Sequence, residues 1–127
     1  GTQLNGTLSM PSEDPIVRLG DIIENARRIR DYTADLTRET FLQDQKTIDA
    51  VERCFERIAE ASRKIGDRFD AKYPELKLNN LRGFGNILRH DYESIAPHLL
   101  WSFKENELAG LEAMAQSELA ELARLKD

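Results

Sequence analysis

The sequence predicts an all-α domain, most simply an up-and-down four-helix bundle. Apolar residues recur at three- and four-residue steps along two long stretches, 16–29 and 48–69, the spacing that lines one face of a helix. No stretch of useful length alternates apolar and polar residues as a half-buried strand would. The chain has 127 residues, 40% hydrophobic and 32% charged, which is comfortable for one core and too little for two. Its seven Gly and four Pro exclude a collagenous or low-complexity chain. No apolar run approaches the ~20 residues of a membrane span.

Residues 1–9, GTQLNGTLS, have no charge, almost no apolar side chain and no initiating Met, so they read as an appended remnant and the domain as residues 10–127. Asp14 and Pro15 supply an N-cap and a residue preset for the first turn. Ile16, Leu19, Ile22, Ile23, Ala26 and Ile29 then give a first helix over 15–32. Thr37, Thr40 and Phe41 mark a short helical turn. Asp44 caps a second long helix with the stripe Ile48, Val51, Phe55, Ile58, Ser62, Ile65 and Phe69, opposite a face rich in Arg and Glu. That helix weakens at Gly66 and ends at Tyr73-Pro74, where the proline ring disfavours helical backbone before it. A third helix is expected over 79–91. A fourth starts at Pro97 and carries Leu100, Phe103, Leu108, Leu111, Met114 and Leu122 to the end.

Eighteen Lys plus Arg against 23 Asp plus Glu leave a net charge of -5, which argues against a surface that grips nucleic acid along its whole length. The charge is uneven. Residues 44–72 hold seven basic and seven acidic side chains, and residues 93–127 three against seven. Residues 77–92 carry Lys77, Arg82 and Arg89 against Asp91 alone, a balance of +2. A phosphate would be met first on this short island. The one cysteine, Cys54, cannot form an internal disulfide and shares the stripe of Val51 and Phe55, so it reads as a core residue. With no segment of signal-peptide character, a reducing cytoplasm is expected.

The sequence lacks HExxH, a cysteine pair, a phosphate-binding Gly-rich loop with its Lys, and a nucleophile elbow. Neither a metal nor a cofactor is expected. The unusual stretch is 81–92, LRGFGNILRHDY. Gly83 and Gly85 inside a helix each cost roughly 1 kcal/mol relative to Ala, so a gain in packing or access should offset them, most naturally the close approach of another backbone. Asn86 and His90 are four apart and therefore neighbours on one face, with Arg82 four residues further back and Arg89 flanking. An imidazole can move protons near neutral pH and a guanidinium can bind a phosphate through two hydrogen bonds, the minimum needed to cleave RNA without metal. A single His near a helix end is more commonly a dipole partner or a packed ring, and Tyr92 an amphipathic packing residue. These residue types alone leave the function open.

The order N-x-L-x-H-x-Y formed by Asn86, Leu88, His90 and Tyr92 resembles the signature of the HEPN superfamily, specifically HepT-like proteins, the toxin partners of minimal nucleotidyltransferases. The similarity extends through IVRLGDIIENARRIRDY, VERCFERIAEASRKI, the glycine-containing motif helix and IAPHLLWSF. It implies a helical bundle that pairs as a homodimer, with the motif helices of two subunits forming one cleft. In active relatives that cleft is a metal-independent endoribonuclease site with RNA as substrate. The motif tyrosine, Tyr92 here, can be silenced by AMP transferred from the nucleotidyltransferase. One departure stands out. The family motif is written R-x4-H, with Arg directly before the Asn, and this chain has Gly85 there. Arg82 is eight residues before His90, about 12 Å along the axis, and Arg89 points about 100° away from it.

The leading expectation is therefore a HepT-like homodimer that acts as a ribonuclease toxin neutralised by a cognate nucleotidyltransferase. In it His90 is the general acid or base, Asn86 holds His90 or the phosphate, and Arg82 or Arg89 offsets phosphoryl charge. The alternative is a catalytically silent dimer that binds a nucleotidyltransferase or a nucleotide, which Gly85 favours. A purely structural bundle is the residual reading.

Overall fold

The computed structural model describes residues 14–90 and 95–126, with the side chains of residues 85–90, 95, 96 and 126 left out of the description. The expected remnant at 1–9 and Tyr92 lie outside the described residues. Among the described residues the fold is all-helical: α1 (Pro15–Thr33), α2 (Arg38–Leu42), α3 (Gln45–Ile65), a 3-10 turn (Pro74–Leu76), α4 (Leu78–His90), α5 (Ile95–Asn106) and α6 (Leu108–Lys126). No helix among them is long and apolar enough to cross a membrane.

The first three starts follow from local chemistry. Asp14 accepts a hydrogen bond from the Ile16 amide at 2.9 Å, with Pro15 in the first turn. Thr37 and Thr40 form a reciprocal capping box ahead of α2. Asp44 accepts from the Thr47 amide at 3.1 Å and from its hydroxyl at 2.8 Å. These bonds hold the Asp44 carboxyl below its ordinary range.

Most residues of the expected stripes are buried, while Ile16, Ile23, Phe103 and Leu122 are only partly so. Leu19, Ile22, Ala26 and Ile29 of α1 meet Ile48, Val51, Phe55 and Ile58 of α3, and α6 closes the same core with Leu108, Leu111, Met114 and Ala115. Each large side chain removed from water contributes about 1.5–3 kcal/mol. Cys54 is buried in this core, where loss of water raises its thiol pKa. A second layer is aromatic. Phe55 lies 5.9 Å from Phe84 and 5.0 Å from Phe103, ring centre to ring centre, and Phe84 stacks on Phe103 at 5.2 Å. This triplet ties α3, α4 and α5 together, and Phe41 against Trp101 at 5.2 Å joins α2 to α5.

Two expected elements differ from the structure. The second long helix stops at Ile65, not at Tyr73-Pro74, because Gly66 at φ 75 and ψ -146 takes an extended positive-φ backbone that glycine alone adopts readily and that no helix can continue through. Phe69 still reaches the core at 8% exposure from the turns that follow, so the apolar spacing outlives the helix. The expected fourth helix is two, α5 and α6, parted at Glu107. Backbone bonds bridge the break, from the Glu107 amide to Phe103 at 2.9 Å and from Leu111 to Glu107 at 3.1 Å. The stripe itself carries the sign, a five-residue step from Phe103 to Leu108 where a continuous helix steps by three or four. Pro97 is the third residue of α5, within the first turn where its missing N–H is harmless.

Candidate functional site

The motif lies on α4, and three buried residues set how that helix is turned. Leu78, Leu81 and Phe84 face the core, with α3 as the principal neighbour. Helical register places positions 79, 83, 86 and 90 together within about 60° of arc, on the side away from that buried stripe. Asn79 and Gly83 on this side are exposed. Asn86 and His90 thus share a face of α4 as the spacing predicts, and Arg89 is beside them in sequence on the same helix. Among the described residues, the close backbone approach expected at Gly83 is not made, since a Cβ built there meets nothing within 4 Å.

Arg82 has a defined task. Its guanidinium grips the Asp70 carboxylate with two hydrogen bonds of 2.6 and 3.0 Å and donates a third, of 2.9 Å, to the Gly66 carbonyl. These bonds fasten α4 to the turns that follow α3. Hydrogen bonding lowers the Asp70 pKa and raises that of Arg82, so both stay charged near neutrality. Asp70 is a residue the sequence does not announce. It stands twelve residues from its partner, across a 3-10 turn and the first turn of α4, and no helical spacing links them. Arg89 is seven residues beyond Arg82, within about 20° of its angular position and two turns along.

A groove of about 540 Å³ runs between the first turns of α4 and the face of α5, with Lys77, Asn79, Asn80, Gly83, Leu99 and Phe103 among its lining. Lys77 enters α4 with φ 51 and ψ 53, the one non-glycine residue at positive φ among those described. A smaller hollow of about 270 Å³ adjoins it toward Gly110 and Leu111. Among the described residues, no three His, Cys, Asp or Glu side chains come together as a metal site.

An all-helical domain with an Asn and a His four residues apart in the sequence of one helix, which an Arg–Asp clasp fastens to the rest of the fold, is the class of protein the fold and motif define. The chain belongs to the ribonuclease HepT-like family, whose model matches residues 22–118. A Methanocaldococcus jannaschii protein provisionally named an RNase, MJ0127, is 35% identical over 99 residues, covering 78% of this chain and 82% of the relative. A second from the same organism, MJ1380, is 33% identical over 99 residues, or 78% and 91% of the two chains. A Thermococcus cleftensis protein named "Probable ribonuclease HepT" is 32% identical over 93 residues, or 73% and 84%. No solved structure matches the chain significantly. The resemblance read from the motif thus holds over most of the sequence.

Proposed function

We propose that this chain is a metal-independent endoribonuclease that works as a homodimer in the cytoplasm, the toxin of a toxin–antitoxin pair whose antitoxin is a cognate minimal nucleotidyltransferase. What supports the reading is that α4 runs through to His90, so that positions 86 and 90 fall on one side of it by helical register, in a chain whose relatives are named as ribonucleases. His90 takes the proton from a ribose 2′-hydroxyl as that oxygen attacks the adjacent phosphorus, or returns one to the leaving 5′-oxygen. Asn86 holds the imidazole or the phosphate. A guanidinium offsets the charge that builds on the phosphoryl oxygens. Arg89 is the candidate left for that role, because Arg82 is engaged by Asp70 and Gly66. Tyr92 is the residue on which AMP transfer would silence the site.

The silent binding module is favoured by a specific pair of observations, Gly85 in place of the family arginine and the engagement of Arg82 elsewhere. Gly85→Arg separates the two readings. If the glycine only lost a catalytic group, the variant gains RNA cleavage over wild type. A variant that stays folded, dimeric and inert, beside an inert wild type, establishes the binding module instead. Incubation with the nucleotidyltransferase and ATP should add AMP to the wild type and not to Tyr92→Phe, as read by mass spectrometry. Equal labelling of the two would remove Tyr92 from the account.

A further inference from the structure

The groove between α4 and α5 is not part of the His90 motif, yet it opens onto the same face. Asn79 and Gly83 stand on both. They line the groove, and they share the outer arc of α4 with positions 86 and 90, so a strand lying along that face would pass from one to the other. The distance from position 79 to position 90 is about 16 Å along the axis. The groove's chemistry is mixed in a way that suits a flat heterocycle. One wall is apolar, with Leu99 exposed at 37% and Phe103 backed by the stacked ring of Phe84. The rim is polar: two exposed carboxamides, Asn79 and Asn80, each offer donors and an acceptor. Lys77 belongs to the chain's one basic island and lines the groove. Glu107, the one carboxylate of the lining, can accept from an exocyclic amino group. At Gly83 the floor has no side chain and nothing within 4 Å of where one would begin. The volume, about 540 Å³, lies in the range of small-molecule sites.

We propose that this groove receives one unpaired nucleobase of an RNA strand whose scissile phosphate lies further along the same face of α4, an inference that rests on the ribonuclease reading above. The base stacks against the Leu99 and Phe103 wall, the Asn79 and Asn80 carboxamides meet its edge, and Lys77 meets the adjoining phosphate. Bases splayed from single strands are recognised by such combinations of stacking and edge contacts.

The test compares a short single-stranded oligoribonucleotide of mixed sequence with a strand of equal length made of stable abasic nucleotides. Binding is read by fluorescence anisotropy with the full chain carrying His90→Ala, so that nothing is cut. That protein should bind the base-bearing strand about tenfold more tightly, the contribution of one stacked base. Adding Gly83→Leu, which fills the groove, or Asn79→Ala with Asn80→Ala, which strips its rim, should abolish the preference while leaving affinity for the abasic strand unchanged. That unchanged affinity also shows the variants to be folded. Retention of the full preference by both variants overturns the subsite, as does equal binding of the two strands before the groove is altered. If Gly83→Leu turns a dimer into a monomer while the preference persists, the groove is a contact between copies of the chain and the subsite is wrong. Binding of neither strand removes the ribonuclease reading and the subsite together.

Discussion

Ser62 is buried on α3, and its hydroxyl has no hydrogen-bond partner among the described residues, beside a cavity of about 10 Å³ that Ile22, Ile65 and Met114 also line. An unsatisfied buried hydroxyl costs about 1–3 kcal/mol, so Ser62→Ala should raise stability by about 1 kcal/mol and the melting temperature by several degrees. A lower melting temperature in calorimetry would mean that the hydroxyl is satisfied. Glu118 is the opposite case, a buried carboxylate fully engaged. It accepts from Lys72 at 2.7 Å and from the Tyr73 hydroxyl at 2.6 Å, and the Lys72 bond, then the Tyr73 bond, lowers its pKa. A carboxyl with a folded pKa below its unfolded value of about 4.3 stabilises the fold above that pH and loses its contribution as pH falls further. Thermal melts of wild type between pH 6 and 3 should therefore fall more steeply than those of Glu118→Gln. Parallel curves would show the pair to be neutral to folding. These networks were not legible in the sequence, because Glu118 meets Tyr73 forty-five residues away and no periodicity connects them.

At the scale of elements, much was legible. Caps announce the starts of α1, α2 and α3, and the apolar stripes name nearly every core position of α1 and α3. The breaks were harder to see. Gly66 ends α3 while Phe69 keeps the spacing alive, and the α5–α6 boundary shows only as one five-residue step. The helix that carries Asn86 and His90 was legible, expected over 79–91 and found over Leu78–His90. The clasp that holds the helix and the groove beside it are tertiary, and therefore were not. The clasp predicts that Asp70→Asn loosens α4. The melting temperature should drop, RNA cleavage should fall with it, and Asp70→Glu should recover part of both. Unaltered cleavage by a destabilised Asp70→Asn would separate the clasp from the site. Gly83 costs α4 about 1 kcal/mol against alanine, and the chain offers a Cβ open space there. Gly83→Ala should thus gain up to that amount without altering the mass seen by light scattering. A shift to monomer would assign the glycine to a subunit contact.

For the whole molecule, the proposed cleft requires two copies. A standard interface buries about 800 Å² per partner, and a chain of 127 residues can supply that from the faces of two helices. Light scattering at micromolar concentration should return twice the chain mass, and a monomer would dissolve the composite cleft. A net charge of -5 with a local balance of +2 at residues 77–92 suits a protein that holds a short length of strand at one place rather than coating it. The account stands or falls on chemistry at His90. The most direct measurement is cleavage of single-stranded RNA in excess chelator by wild type and by His90→Ala, each checked for fold and mass. General acid–base catalysis contributes about 10²–10⁴-fold. The account predicts cleavage by wild type that persists without metal and drops by at least a hundredfold in His90→Ala. Equal cleavage by the two proteins, or cleavage that the chelator abolishes, would contradict it.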